Sequence, residues 1–410
     1  MGRWSIAVAG MLSLATAMGI GRFAFTPLLP MMLSDGVIDL PSASWLASAN
    51  YLGYLVGALL CTFQPLIWKR LGFLPPLVAS AWVRAGLVAT TLLTLGMAMP
   101  LAAGWPLLRF AAGVASALVF VYTSGWCLAQ LARLNAPALG GVMYAGPGAG
   151  IALSGLLASG MVALQWTAAT GWLIFGVLAA VLTTLVWPTF RERAVALGSA
   201  GGSAPASPTA HRQAPAGRKQ MLLLAVAYGL AGFGYIITAT FLPVIAREAM
   251  PGSGWIDFFW PIFGMGVVSG ALLATRIPAT GDFRYLLAGA YAVQALGIAA
   301  PVFSPNLAGF AIGSLLLGIP FTAITFFAMQ EVRRLRPAAA ASHMGLLTAM
   351  YGIGQIAGPP LAAVLLRNSR SLGEGFTLSL EIAAAALLAG ALMYLWMASA
   401  YPILKPDNRH

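Results

Sequence analysis

The chain is built of long apolar runs separated by short polar breaks, and most runs reach the roughly 20 residues that an α-helix needs to cross a bilayer core. Twelve runs of this kind occupy 5–33, 43–67, 72–97, 104–131, 138–164, 168–187, 220–246, 256–277, 284–303, 306–330, 342–367 and 376–400. They are expected to be helices, because lipid offers backbone polar groups no partner and the runs are too long and continuous for barrel strands. The first run has the basic start of a secretory signal at Arg3 and small residues at Ala15 to Ala17. A signal's apolar region is only about 7 to 15 residues. This run continues past Arg22 to Pro30 and reads as an uncleaved first crossing.

Composition narrows the class. Of 410 residues, 60% are hydrophobic and 8% charged, with mean hydropathy +0.86, whereas soluble domains average about 25% charged. Twelve spans take roughly 240 to 300 residues, which leaves no room for a separate catalytic domain, so the chain does not read as an enzyme. The net charge of +12 raises the question of nucleic acid, but the basic residues form no dense patch interleaved with aromatics. They punctuate the spans instead. Arg3, Lys69, Arg70, Arg133, Arg191, Arg193, Arg212, Arg218, Lys219, Arg276, Arg284, Arg333, Arg334, Arg336, Lys405 and Arg409 fall on one side. Only Arg247, Arg367 and Arg370 fall on the other. By the positive-inside rule both termini of this multi-pass chain are expected on the cytoplasmic side. Cys61 and Cys127 lie in apolar surroundings without a CxxC pair, and HExxH and Walker A motifs are absent, so no metal or cofactor is expected.

Between Pro188 and Gln220 the composition turns to Arg, Ser, Ala, Gly and Pro, too polar to order itself. The expected organisation is a six-helix bundle over 1–187, a disordered cytoplasmic linker over 188–219 and a second six-helix bundle over 220–410. The halves repeat. GIGRFAFTPLLP (Gly19 to Pro30) matches GFGYIITATFLP (Gly232 to Pro243) at an offset of 213, which also carries Gly53 and GALL (57–60) onto Gly266 and GALL (270–273). At an offset of 204, Gly141, Gly148 and Gly150 meet Gly345, Gly352 and Gly354. Duplicated six-helix halves in parallel orientation are the organisation of major facilitator transporters, an all-α membrane fold with the solute site between the halves near the midplane. GxxxG pairs fall on spans 2 (Gly53, Gly57), 5 (Gly146, Gly150), 8 (Gly266, Gly270) and 11 (Gly354, Gly358), no more often than chance would place them. If spans 2 and 11, and 5 and 8, face each other across the halves, these glycines with Pro147 are expected to line the gating surface. Ordinary packing inside a half is the alternative.

Arginine at bilayer depth costs at least about 2.5 to 3.5 kcal/mol and normally faces a cavity or a partner. Arg22 stands two-thirds of the way out along span 1, with Thr26 one turn on; Arg109 lies near the outer end of span 4; Arg84 is in span 3. Arg22 and Arg109 are expected to bind solute, Arg109 also to couple protons, and Arg84 to tie neighbouring helices. The acids lie near the breaks, apart from Glu381 in span 12, a candidate protonatable residue with an interfacial carboxylate as the alternative. Two buried cations and hardly any buried acid favour an anion, which a guanidinium binds through paired hydrogen bonds. Thr26, Asn50, Tyr54, Tyr235 and Gln355 are further candidates to bind the solute through hydrogen bonds. The expected partners are a small-molecule solute, protons and the bilayer, with no nucleic acid and a monomeric chain.

Gly19 to Pro30, with Arg22 and Pro27, followed by ASANYLGYLVG (Ala47 to Gly57), resembles the YbfB/YjiJ family of major facilitator transporters over essentially the whole chain. RFAAG (Arg109 to Gly113) is similar to the superfamily's span 4 motif, whose Arg is implicated in proton coupling, and GPGAG (Gly146 to Gly150) to the span 5 motif of exporters. The loop after span 2 reads KRLGFL, with Lys69 ahead of Arg70 where the superfamily has an acid, and Phe73 and Leu74 where it has bases; by the resemblance Lys69 and Arg70 are expected at the gate between the halves. The resemblance implies a proton-driven, alternating-access transporter. Its exporter motif favours drug or metabolite efflux, whereas the buried cations favour an organic anion. A transport-inactive sensor or assembly protein is the alternative of another class.

Overall fold

The computed structural model describes residues 2–71, 78–136, 139–191, 215–274, 276–277, 281–336 and 340–403, and among these it is helical with short turns and no strand. Among the described residues twelve helices are long and apolar enough to cross a membrane. We label them α1 (Arg3–Ser34), α2 (Leu40–Leu71), α3 (Ala79–Gly96), α4 (Trp105–Arg133), α5 (Gly140–Ala163) and α6 (Ala168–Arg191). The second set is α7 (Pro215–Ala249), α8 (Phe259–Ala274), α9 (Phe283–Phe303), α10 (Leu307–Leu335), α11 (Ala340–Asn368) and α12 (Leu372–Ala400). The apolar runs anticipate all twelve. Two boundaries move at the predicted linker, where α6 continues to Arg191 and α7 begins at Pro215; residues 192–214 lie outside the described residues.

Packing repeats with the sequence. In the first half α1 packs on α5, α2 on α4 and α3 on α4 and α6; in the second α7 packs on α11, α8 on α10 and α9 on α10 and α12. The halves meet through α2 against α11, α5 against α8 and α1 against α7.

The helices are not equally regular. In α1 the stretch Ala15–Ile20 is a π-helical turn, with the amides of Gly21 and Phe23 bonded five residues back to Thr16 and Met18. Local chemistry accounts for it. The Ser13 and Thr16 hydroxyls bond back to the Ala9 and Leu12 carbonyls, which bends helices; Gly19 and Gly21 favour the helix weakly; and Pro27 removes the amide that would reach the Phe23 carbonyl. In α7 the residue equivalent to Pro27 is Thr240, and the helix runs unbroken.

Candidate functional site

Arg22 stands two residues after the π-helical turn, at the contact between the halves. It is 3% exposed. One guanidinium nitrogen donates to Oε1 of Gln355 on α11 at 2.8 Å, and Nε of Gln355 donates in turn to the Tyr235 hydroxyl on α7. The guanidinium lies 4.1 Å from the ring centroid of Tyr54, 5.1 Å from Phe23 and 5.3 Å from Tyr51. Tyr235 stacks on Tyr351 and meets Phe321 edge-on, Tyr351 packs on Tyr228, and Phe23 meets Trp260 and Phe321. The result is a cation in an aromatic enclosure drawn from both halves.

No carboxylate among the described residues pairs with Arg22, and its buried Nε has no acceptor. A hydrogen bond to a charged group contributes about 1.5–3 kcal/mol and a desolvated cation–π contact about 2. These offset much of the cost of the buried charge without neutralising it. The arrangement leaves one strong donor for a ligand.

Arg109, the other expected solute ligand, points elsewhere. It is 2% exposed and donates to the carbonyls of Gly21 and Arg22 at 3.3 and 3.0 Å, beside the rings of Phe25 and Trp172. The break in α1 leaves those carbonyls without their helical amides, and Arg109 replaces them. Asn50, also expected to bind solute, donates to the Arg109 carbonyl at 2.9 Å. In this structure Arg109 holds the backbone at Arg22, and Asn50 holds that of Arg109, from inside the first half. Thr26 donates to the carbonyl of Ala239, its repeat equivalent, at 2.7 Å and fastens α1 to α7. Tyr54, Tyr235 and Gln355 do gather around Arg22, whereas Tyr51, Tyr228, Phe321 and Tyr351 were not singled out from the sequence. Their spacings, such as Tyr51 and Tyr54 one turn apart, were the available signal.

Glu381 is exposed on α12, away from the site, the position of an interfacial carboxylate, because the opposite face of that helix carries Ser379, Leu380, Ala383 and Ala384 into the core. Among the described residues the fully buried carboxylate is Glu331 at the end of α10, hydrogen-bonded to Arg334 and 3.8 Å from the buried Arg284. Arg84 is half-buried on α3 with its guanidinium over Trp187 of α6.

The expected pairing of α2 with α11 and of α5 with α8 across the halves is present. The GxxxG glycines, however, pack inside the halves. Gly53 and Gly57 abut α4, Gly146 and Gly150 abut α1, Gly266 and Gly270 abut α10, and Gly354 and Gly358 abut α7. GxxxG marks close approach but not the partner. Where α5 meets α8 the closest glycines are Gly148 and Gly264, and a Cβ at Gly264 would lie 2.5 Å from the Ala152 nitrogen and 2.7 Å from the Gly148 oxygen; Gly155 packs on Pro261 and Trp260 at the same seam. Pro147 begins the helical piece that carries Gly148 and is buried. Arg70 is exposed near the end of α2, and the Lys69 side chain lies outside the described residues.

Hydrogen bonds between the halves gather at Arg22 and toward the C-terminal end of α1. Tyr51 meets Thr240 at 2.9 Å, Ser48 donates to the Ile356 carbonyl at 3.3 Å and Ser159 to the Asp257 carbonyl at 3.1 Å. Toward the other end the glycines face side chains: a Cβ at Gly352 would meet Leu55 at 3.2 Å, and one at Gly345 would meet Thr62 at 3.4 Å. Among the described residues no group of three His, Cys, Asp or Glu is placed to hold a metal.

A duplicated twelve-helix bundle with a charged site at its seam is matched by a family described as "Uncharacterised MFS-type transporter YbfB" over residues 14–395. The chain belongs to that family of major facilitator transporters. It is 30% identical over 397 residues to a Streptomyces lividans protein named "Chloramphenicol resistance protein", covering 91% of this chain and 92% of that one. It is 27% identical over 388 residues to the uncharacterized MFS-type transporter YceJ of Bacillus subtilis (strain 168), covering 90% and 92%. The fold is that of the nucleoside transporter NupG, with a TM-score of 0.71 to a mutant at 15% identity over 96% of this chain and 99% of that one. The non-mutant NupG structure gives 0.66 at 16% identity, over 97% and 99%. This YbfB-type chain is therefore a multi-pass membrane transporter and not an enzyme.

Proposed function

We propose that this transporter moves a small organic anion with a flat or aromatic body, by alternating access and driven by the proton gradient. The carrying observation is the guanidinium of Arg22: buried at the seam, unpaired with any described carboxylate and walled by aromatic rings from both halves. A carboxylate there would take up the free donor capacity while the solute's body stacks on Tyr54, Tyr235 and Tyr351. Gln355 and Tyr235 belong to the second half, so binding at Arg22 engages both halves at once, which rocking of the 1–187 and 220–410 bundles requires. The side carrying Thr26, Tyr51 and Ser159 would face outward and the other side the cytoplasm. On this reading the protein is a monomer in a bacterial inner membrane with cytoplasmic termini.

The test is uptake of labelled aromatic and aliphatic carboxylates by proteoliposomes with and without a pH gradient. Gradient-dependent uptake that disappears in a folded Arg22→Gln variant supports the proposal. Unchanged uptake and affinity in that variant overturns it. The relative named for chloramphenicol resistance favours a second reading, efflux of an uncharged aromatic compound. Protection of cells from chloramphenicol that survives Arg22→Gln but not Tyr235→Ala would select it.

A further inference from the structure

Arg84 sits where neither the solute site nor the seam uses it. It lies five residues from the first residue of α3, about 7.5 Å along the axis at 1.5 Å per residue, at the end of the bundle that carries the N-terminus. Its guanidinium is 5.4 Å from the Trp187 ring. Among the described residues it has neither an acidic partner nor a hydrogen-bond acceptor, and its Nε is buried and unsatisfied. One turn further on, Val88 begins a lipid-facing groove of about 460 Å³ between α3 and α6, lined by Thr91, Leu92, Thr183, Thr184 and Trp187. Leu92 is 62% exposed on this face. A half-buried cation thus stands above an apolar groove that runs toward the bilayer centre.

We propose that this is a binding site for an anionic glycerophospholipid of the leaflet on that side. Its phosphate would accept from Arg84, one acyl chain would lie in the groove, and the Trp187 indole would sit at the boundary between headgroup and chain. Charge complementarity selects the occupant. A guanidinium at this depth needs acceptors that lipid tails lack, and a phosphate offers them in paired geometry. Trp is the aromatic residue suited to that boundary. A zwitterionic lipid fills the groove equally well but brings its own cation and gains less from Arg84.

The test is quenching of Trp187 fluorescence by lipids with brominated acyl chains in mixed micelles of the purified protein, read as the difference from a Trp187→Phe variant. Brominated phosphatidylglycerol is expected to quench wild type at about a fivefold lower mole fraction than brominated phosphatidylcholine, the factor one cation supplies near an anionic surface. Arg84→Gln should remove that selectivity and Arg84→Lys keep most of it. Thr184→Leu, which fills the groove, should weaken both lipids while preserving their ratio. Equal quenching by the two lipids in wild type, or selectivity that survives Arg84→Gln, overturns the proposal. Should Arg84→Gln aggregate, wild type and Thr184→Leu still decide it. Relief of quenching by millimolar inorganic phosphate would show that the site recognises free anions and not the lipid, and would overturn it too.

Discussion

The two halves answer the same sequence problem differently at one place. In the first half the segment Gly19 to Pro30 carries Pro27 and breaks into a π-helical turn; in the second, Gly232 to Pro243 carries Thr240 and stays helical. Arg22 and Tyr235 are repeat equivalents, and both converge on Gln355. Gly113 packs on the Asn50 backbone and Gly318 on that of Phe263, the Asn50 equivalent. That register makes Ser314 the counterpart of Arg109. Where the helix is broken, an arginine supplies the missing donors; where it is intact, a serine suffices, and its hydroxyl has no partner. Duplication built the scaffold, and the departures from duplication built the site.

The largest expected effect tests the cause of that asymmetry. Arg109→Leu strands two buried carbonyls, at about 1–3 kcal/mol each, and should lower stability by about 3–5 kcal/mol in thermal unfolding of the detergent-solubilised protein. Ser314→Ala should change it by less than about 1 kcal/mol. Comparable losses in both would remove the role given to Arg109.

Next is the pair at Gln355. Arg22→Gln should reduce anion uptake about ten- to hundredfold, the worth of a charged hydrogen bond, with little loss of stability because it relieves a buried charge. Tyr235→Phe should cost about fivefold, one neutral hydrogen bond. Equal effects would mean that the cation is not the distinguishing element.

A smaller contrast concerns the seam. Gly264→Ala would place a methyl against the backbone of α5 and should slow transport through overpacking of about 1–3 kcal/mol. Gly352→Ala meets only the Leu55 side chain and should be tolerated. Initial rates of uptake at matched protein levels distinguish them.

The smallest effect lies in the loop between α8 and α9. Burial raises the Asp282 carboxyl, but hydrogen bonds and charge from Arg284 outweigh it and hold Asp282 below its ordinary value of 3.8. A depressed folded-state value adds stability above about pH 3.8 that is lost as the pH falls through the folded value. For this partly exposed group the amount is about 1 kcal/mol or less. Asp282→Asn should flatten that acid limb in unfolding scans; an unchanged limb would place the loss in other carboxylates.

Much of the scaffold was legible because its determinants are local or periodic. Twelve apolar runs become twelve helices, and a repeat at a fixed offset becomes two similarly packed halves. The site was legible only in part. Arg22, Tyr54, Tyr235 and Gln355 could be picked out as polar residues inside apolar runs, since their cost in lipid shows in one dimension. Glu381 stayed open between a protonatable residue and an interfacial carboxylate because a carboxylate near a helix end looks the same in sequence whether its face meets lipid or a neighbouring helix.

What the sequence determined alone was therefore the membrane-spanning architecture, its duplication and the presence of costly buried charge, all set by hydropathy summed along the chain. What only the tertiary structure decided was where each charge points. Arg22 and Arg109 are indistinguishable as arginines at depth, yet one faces the seam and the other closes a broken helix. That difference depends on which acceptors lie within about 3 Å, and contacts between residues far apart in the chain supply them.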